Sequence, residues 1–362
     1  MIPLQVRGGI AMRKWLVSLA ILVSLFLALG IFIKTASADK KELDEIKQAI
    51  KESGAKWKAD ETSVSRLDPQ ELKKKMGTIL DKIPPGKDNN KPEGNKPPPP
   101  PLPPTPDPSL PKYYNWDIPA YNKLGGDYVT PIKDQGNCGS CWAFGSVAAL
   151  ESIYLITNGG LTINLSEQDP VSCCVYCWGK PDERGCGGGY MEYAYNYLHD
   201  PGTRTEDCFP YVSGEAGYVP LCEESKCDYR VNITKWTEVP HDLRALQNAV
   251  YYQPVPAAFH VYRDFLYYKE GVYKHVNRGN PNPVGGHAIC IVGWDNYNNC
   301  FIVKNSWGSS WGESGYFRID YSDVTSVVQF GLAAADFDMP ISTSAPPRYS
   351  IIATLWGEMR TQ

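Results

Sequence analysis

The chain has 362 residues, of which 43% are hydrophobic and 12% aromatic, a composition typical of a folded globular protein. Its formal net charge is −4, but residues 1–91 carry 17 Lys and Arg against 11 Asp and Glu, whereas the rest of the chain carries 19 against 29. This acidic main body argues against nucleic acid as a partner.

The N-terminus has the pattern of an export signal. A basic start precedes an uncharged apolar run from Trp15 to Ile33, and Ala36-Ser37-Ala38 supplies the small residues that a signal peptidase needs. We therefore expect residues 1–38 to be a signal peptide, with Met12 as an alternative start. An uncleaved anchor is the other reading, because 19 apolar residues can just span a bilayer. Either way the rest of the chain is exported, and cleavage would leave no membrane contact.

Residues 39–96 form a separate segment that is charged and helix-prone up to Lys91. A first helix is predicted by an apolar stripe at helical spacing, Leu43, Ile46, Ala49 and Ile50. A second helix should begin after an N-cap at Asp68 and end at Gly77. Helices with such narrow apolar faces cannot bury a core alone. We expect an inhibitory pro-segment docked on the next domain, with a solvated spacer as the alternative.

A proline-rich stretch marks the next boundary. Residues 97–111 contain ten prolines, which favours a polyproline II spacer of about 45 Å. The catalytic domain is predicted over residues 112–338, and no structure is predicted for the tail, residues 339–362.

Cys141 is the candidate nucleophile. It opens an apolar run with the spacing of a buried helix, which Asn158-Gly159-Gly160 should end. The free N–H groups and positive dipole end of a helix N-terminus stabilise a thiolate.

His287 is the candidate proton partner, because imidazole titrates near neutrality. The flanks VGGHAICIVGWD and CFIVKNSWG read as two strands joined by a turn over residues 296–299. Such a hairpin would bring His287 opposite Asn305, whose amide oxygen could orient the imidazole, and Trp307 could shield that hydrogen bond from water. Gln135 and the backbone N–H of Cys141 could then stabilise the oxyanion of an acyl transfer.

Four motifs, QGNCGSCWAF, GCGGG, GGHA and NSWG, together resemble the papain family of cysteine proteases. The resemblance implies an α+β, two-domain fold, with a helical left domain, a β-barrel-like right domain and the active site in the cleft between them. It also implies oxyanion, nucleophile, acid/base and orienting roles for Gln135, Cys141, His287 and Asn305. His287 follows Cys141 by 146 residues, but Asn305 follows it by 164, somewhat beyond the usual spacing, so an insertion or a longer turn is expected.

The same resemblance suggests how substrate binds. The backbone of Gly188 and Gly189 should pair with an extended peptide. An uncharged pocket that favours an apolar side chain two residues before the scissile bond would be built from Tyr190, Met191, Ala258, Gly285, Gly286, Ala288 and Trp307, although several of these could be core residues only. The N-terminal segment resembles the short pro-region of the cathepsin B branch. The absence of the His-His pair of the cathepsin B occluding loop favours endopeptidase activity.

Eleven cysteines suggest five bridges and one free thiol in an exported protein, with a reduced cytosolic protein as the alternative. The resemblance pairs Cys138 with Cys186 and makes Cys173 half of a second bridge. Cys290 and Cys300 should share one face of the hairpin as a diagonal pair that a small register shift could bridge. Fifteen connectivities remain open for Cys173, Cys174, Cys177, Cys208, Cys222 and Cys227.

The sequence thus predicts a secreted cysteine endopeptidase made as a proenzyme. It should act on peptides or proteins as a monomer, with its own pro-segment as inhibitor and with no metal or cofactor. The alternatives are a catalytically silent papain-like binding or adhesion protein, and another Cys/His acyl-transfer enzyme such as a transglutaminase or amidase.

Overall fold

A computed structural model describes residues 40–80, 106–276 and 282–339. The predicted signal peptide, most of the proline-rich stretch and nearly all of the C-terminal tail lie outside these ranges. No helix in the described ranges is long and apolar enough to cross a membrane.

Helices and strands occupy largely separate parts of the chain, as expected for an α+β fold. The helices are α1 (40–53), α2 (Pro69–Lys73), α3 (Cys141–Thr157), α4 (Gln168–Cys173), α5 (Met191–His199), α6 (Ser213–Ala216) and α7 (Leu243–Tyr252). The strands are β1 (Lys56–Ala59), β2 (Tyr113–Asn115), β3 (Thr203–Arg204), β4 (Arg230–Val231), β5 (Lys235–Glu238), β6 (Val255–Val261), β7 (Tyr268–Tyr273), β8 (Gly285–Asp295), β9 (Cys300–Lys304), β10 (Tyr316–Asp320) and β11 (Ala335–Asp338). The α+β prediction is confirmed.

A seven-stranded sheet is built mainly from the second half of the catalytic region, and β1 and β2 join it from earlier in the chain. Its strands follow the order β1-β7-β10-β9-β8-β2, with β6 also paired to β8. The shorter pairs β3–β4 and β5–β11 lie outside this sheet. Most of the strand residues in β6, β8 and β9 are buried, which explains their nearly continuous apolar sequences.

Helix α3 is the central element between the helices and the sheet. Every residue from Cys141 to Leu155 is buried, so the helix is enclosed on all sides. It packs tightly on β8 at Gly145, where a β-carbon would lie 3.0 Å from the carbonyl oxygen of Ile289. This contact brings the start of α3 beside the start of β8.

The β8–β9 hairpin is present, but its register differs from the predicted one. The ladder pairs Cys290 with Lys304 and Asp295 with Cys300, and it shifts between Ile291 and Gly293. Such a bulge places one extra residue on one strand. The register already differs from the expected one at Asp295 and Cys300, beside the turn, and Asn305 follows the last residue of β9 without pairing directly opposite His287.

Four disulfides connect the helical part of the catalytic region. The predicted bridge between Cys138 and Cys186 is confirmed, and Cys173 pairs with Cys222. The other two bridges are Cys174–Cys177 and Cys208–Cys227.

The suggested bridge between Cys290 and Cys300 is wrong, and so is the expected count of five. Both thiols are free and buried, as is Cys141. Cys290 lies opposite Lys304, four residues along β9 from Cys300. At about 3.4 Å per residue this separation is far beyond disulfide reach.

Residues 40–80, which we call the N-terminal segment, pack onto the sheet. The predicted apolar stripe of α1 is confirmed, since Leu43, Ile46 and Ile50 are buried. Strand β1 extends the sheet by pairing antiparallel with β7. The Trp57 ring lies 5.2 Å from that of Tyr273, and its Nε1–H donates to the carbonyl of Lys274 at 3.0 Å.

Helix α2 has the predicted N-terminus but an earlier end. Asp68 accepts from the N–H groups of Gln70 and Glu71, and the Glu71 side chain accepts in turn from the Asp68 N–H. The helix ends at Lys73, four residues before Gly77. Gly77 instead lies in extended chain that enters the cleft beside α3.

Candidate active site

Cys141 lies at the first position of α3, completely buried. The N-terminal segment covers its sulfur. The backbone N–H of Gly77 donates to Sγ at 3.1 Å, and Oγ1 of Thr78 lies 3.2 Å from the same atom. The thiol therefore already has two polar partners, and neither of them is a carbonyl carbon that it could attack.

His287 and Asn305 form a hydrogen-bonded pair on the facing wall. The distance between Nε2 of His287 and Oδ1 of Asn305 is 2.7 Å. Because the amide oxygen accepts, Nε2 carries the proton, which leaves Nδ1 to exchange a proton with a thiol. Trp307 lies against the imidazole with the two ring centres 4.6 Å apart, so it shields this pair as the sequence suggested.

Gln135 is held between the two walls. Its Nε2 donates to the carbonyl of Cys138 at 2.9 Å and lies 3.4 Å from the carbonyl oxygens of Lys74 and Lys75. Its Oε1 accepts from the Ser306 hydroxyl at 2.8 Å. The amide N–H groups thus face backbone oxygens of the N-terminal segment at the point where an oxyanion was expected.

Burial keeps the covered pair uncharged. It raises the pKa of the Cys141 thiol, against hydrogen bonds from Thr78 and from backbone N–H groups that lower it. Burial also lowers the pKa of His287 to about 4, against the raising effect of the hydrogen bond to Asn305. The helix N-terminus predicted from the sequence favours a thiolate, but loss of water under the cover outweighs it.

Residues 77–79 cross the cleft as an extended strand. The Gly189 N–H donates to the carbonyl of Gly77 at 2.8 Å, and the Ile79 N–H donates to the carbonyl of Gly189 at 3.1 Å. On the other side, the Thr78 N–H donates to the carbonyl of Gly286 at 3.1 Å. Both walls therefore offer main-chain groups to an extended peptide.

Gly188 does not pair with the crossing strand, although the sequence suggested that it would. Its carbonyl accepts from the N–H of Gly179 at 2.8 Å. A β-carbon at this position would lie 2.9 Å from the carbonyl oxygen of Gly77, and the backbone has a φ of 98°, which favours glycine. Gly188 thus leaves room for the peptide that Gly189 holds.

The suggested pocket residues fall into three groups. Gly285 and Gly286 face the N-terminal segment, since β-carbons there would meet Met76 and Leu80. Tyr190 is partly exposed. The others, Met191, Ala258, Ala288 and Trp307, are fully buried in the covered protein. Ala258 and Ala288 are partners on the β6–β8 ladder, which puts them behind Gly286.

A buried charge network that the sequence analysis missed lies behind this wall. Lys133 Nζ contacts Glu151 at 2.9 Å and Glu167 at 2.7 Å, and Thr130 links Glu151 to Lys304. Burial raises the pKa of Glu167 to about 7. The sequence did hold one sign of this network, since Glu151 is the one charged residue in helix α3.

No built metal site is found among the described residues. Three side chains that could in principle ligate a metal lie close together, those of Asp169, Cys173 and Cys222. Its two sulfurs form a disulfide, and its carboxylate binds Arg204 and Arg230. This group does not suit a metal ion.

Comparisons with known proteins agree on one family. The family model described as papain family cysteine protease matches residues 111–333. Zingipain-2 of Zingiber officinale is 40% identical over 197 residues, covering 53% of this chain and 82% of its own. Pro-cathepsin H of Mus musculus is 39% identical over 201 residues, covering 54% and 57%, and probable cysteine protease RD21C of Arabidopsis thaliana is 37% identical over 227 residues, covering 61% and 47%. The aligned part thus spans about half the length of the last two relatives.

Solved structures agree with the fold. The ragweed pollen allergen Amb a 11, a cysteine protease solved in its proform, matches with a TM-score of 0.58 and 25% identity, covering 87% of this chain and 95% of its own. ProCathepsin B S9 from Trypanosoma congolense matches with a TM-score of 0.65, covering 83% and 97%, but at 24% identity it supports the fold alone. Both matches extend beyond the residues that the family model covers.

Proposed function

The chain belongs to the papain family of cysteine proteases, and from this premise we propose that it is an exported cysteine endopeptidase made as an inactive proenzyme. Residues 1–38 would direct export, residues 39–96 would inhibit, residues 97–111 would link and residues 112–338 would hydrolyse peptide bonds. The enzyme would work as a monomer without a cofactor.

The observation that carries the proposal is that one residue, Thr78, touches both walls of the cleft. Its hydroxyl lies 3.2 Å from Cys141 Sγ, and its N–H bonds the carbonyl of Gly286, the residue before His287. Cys141 and His287 are therefore close enough to act on one peptide. A silent binding protein would have no use for this pair, for the Asn305 contact or for a cover over them.

In the proposed reaction, the Cys141 thiolate attacks the carbonyl carbon of the scissile bond. The C–N bond breaks as His287 gives its proton to the leaving amine, and an acyl-enzyme remains. Water then attacks the thioester, giving one proton to His287, and the thiolate leaves. Gln135 Nε2 and the Cys141 N–H stabilise the oxyanion at each step, while Asn305 holds the imidazole in the useful tautomer.

The N-terminal segment would inhibit by occupying the place of the substrate. It offers Cys141 a backbone N–H and a hydroxyl in place of a scissile carbonyl, and it dehydrates both members of the pair. The preference for an apolar side chain two residues before the scissile bond would come from the uncharged surface near Gly286 and Ala288, where Leu80 lies in the covered form.

The test is selective alkylation with a thiol-directed epoxide, followed by peptide mapping, before and after removal of the N-terminal segment. We expect Cys141 to be labelled only after removal, with loss of peptide hydrolysis in proportion. Cys290 and Cys300 are internal controls, because burial raises the pKa of each thiol to about 12. Hydrolysis that persists after complete labelling of Cys141, or in a Cys141→Ser protein, would contradict the proposal.

A further inference from the structure

We propose that Asp134 makes the active site prefer a basic side chain on the leaving-group side of the scissile bond. This inference rests on the proposed function and names a substrate feature that the catalytic groups do not determine. It follows from the way the N-terminal segment itself occupies the cleft.

Lys75 shows that a cation fits at this place. Its Nζ lies 3.3 Å from Oδ1 of Asp134, and its side chain is only 9% exposed. Lysine is seldom buried without a partner. The carbonyl of the same residue lies 3.4 Å from Gln135 Nε2. A basic side chain can therefore reach Asp134 from a backbone that passes beside Gln135.

The position of Asp134 defines which half of the substrate it would meet. It precedes Gln135 in the chain, and its backbone forms an antiparallel bridge with Trp307, which covers His287. Along the segment, Lys75 contacts Asp134, Gly77 contacts the sulfur and Ile79 bonds the carbonyl of Gly189. Asp134 and Gly189 are thus reached by the chain before and after it passes the sulfur. Because His287 must deliver a proton to the leaving amine, the Trp307 side is the leaving-group side.

The carboxylate is held in place independently of Lys75. Its Oδ1 also accepts from the backbone N–H of Gly136 at 2.8 Å. On its other side, a β-carbon at Gly308 would lie 2.9 Å from Oδ2, so glycine makes room for it. When the N-terminal segment leaves, Lys75 leaves with it, and a fixed negative charge remains at the edge of the cleft.

The experiment compares internally quenched peptides that carry Lys, Gln or Glu at the first, second or third position after the scissile bond. For activated wild-type enzyme at low salt, we expect kcat/KM for Lys to exceed that for Gln about three- to fivefold at one of the first two positions, the size expected of a solvent-accessible ion pair. The preference should fall as salt is added and should arise mainly in KM.

Three variants complete the test. Asp134→Asn keeps the size of the side chain, and its Lys-to-Gln ratio should fall to about one, while Asp134→Lys should favour Glu. Asp228→Asn, which neutralises a carboxylate that is 98% exposed beside Arg204, should keep the wild-type ratio. A wild-type ratio near one at every position, or the same ratio in wild type and Asp134→Asn, would overturn the inference. Failure of activated wild type to hydrolyse any of the peptides would instead overturn the proposed function.

Discussion

The backbone N–H of Gly77 donates a hydrogen bond to Sγ of Cys141 across 3.1 Å. A sulfur that accepts from an amide N–H lies near the plane of that peptide, whereas attack on its carbonyl carbon requires approach from above the plane. The main-chain group that contacts the nucleophile is therefore not positioned for cleavage. This explains why the N-terminal segment is not cut by the thiol that it covers.

Gly77→Ala is expected to release activity from the proenzyme. A β-carbon there would lie 1.8 Å from the carbonyl oxygen of Gly139, so the strand must move away from Cys141. We expect inhibition to weaken at least tenfold, measured as peptide hydrolysis by unprocessed protein. Lys47→Ala is the control, since Lys47 is exposed on α1 and alanine is a good helix former. Equal inhibition by the Gly77→Ala and wild-type segments would contradict this account.

Trp57→Ala should weaken docking of the N-terminal segment without touching the cleft. The indole is 4% exposed and packs on Tyr273. Loss of such a side chain costs about 3 kcal/mol, or roughly a hundredfold in inhibition constant. The inhibition constant of a synthetic 40–80 peptide measures the effect. Lys58→Ala is the matched control, because its ion pair with Glu270 lies on the exposed face of β1 and should matter little.

His287→Ala and Asn305→Ala should separate proton transfer from orientation. We expect His287→Ala to remove nearly all hydrolysis, because nothing else supplies the proton. Asn305→Ala should keep part of it, since Trp307 still packs on the imidazole. Titration of active sites in both proteins, followed by kcat/KM, tests the difference. Equal losses would argue against the division of roles.

In a Cys141→Ala protein, docking of the N-terminal segment should weaken as the pH falls from 6.5 to 4. The pKa of His287 is about 4 under the cover, against an ordinary value of 6.5. Between these values the open site binds a proton that the covered site does not, so affinity falls by up to tenfold per pH unit. Alanine is needed because in the wild type the thiol can pass its own proton to the uncovered imidazole.

The measurement is the dissociation constant of the 40–80 peptide across this pH range, using Cys141→Ala protein trimmed by active wild-type enzyme. The control adds His287→Gln, which should flatten the dependence above pH 5. A steep dependence that persists in the double variant would assign the effect to carboxylates. Glu42 is the carboxylate to which such a result would point, because it contacts Arg263 across the interface between the N-terminal segment and the catalytic region.

The sequence was informative where chemistry is local. The helix that starts at Cys141, the hairpin that carries His287 and the capping box at Asp68 follow from spacing and residue type. Their partners in space were less accessible. The β8–β9 ladder pairs Asp295 with Cys300 beside the turn, three residues out of the register that would set His287 opposite Asn305, and the bulge offsets only one of the three. A strand that is apolar on both faces carries no alternation that could fix its register.

The path of residues 74–79 could not be predicted either. The sequence predicts Gly77 as a helix stop. In the structure its backbone passes between those of Gly139 and Gly188, and this close approach is what requires a glycine there. Trp57 of the docked segment packs on Tyr273 of β7, whereas residues 77–79 cross the cleft. Long-range contacts of this kind are not encoded in local periodicity.

Strand β1 has a further consequence for the protein after processing. It covers one edge of β7, whose other edge is bound to β10. Without the segment, the N–H and C=O groups of that edge would face water. The aromatic side chains that Trp57 covers, Tyr268 and Tyr273, would be uncovered with them. Exposed edges of this kind are where sheets from separate molecules join. A protein that has lost the segment should therefore be more prone to self-association during concentration or storage than one that retains it.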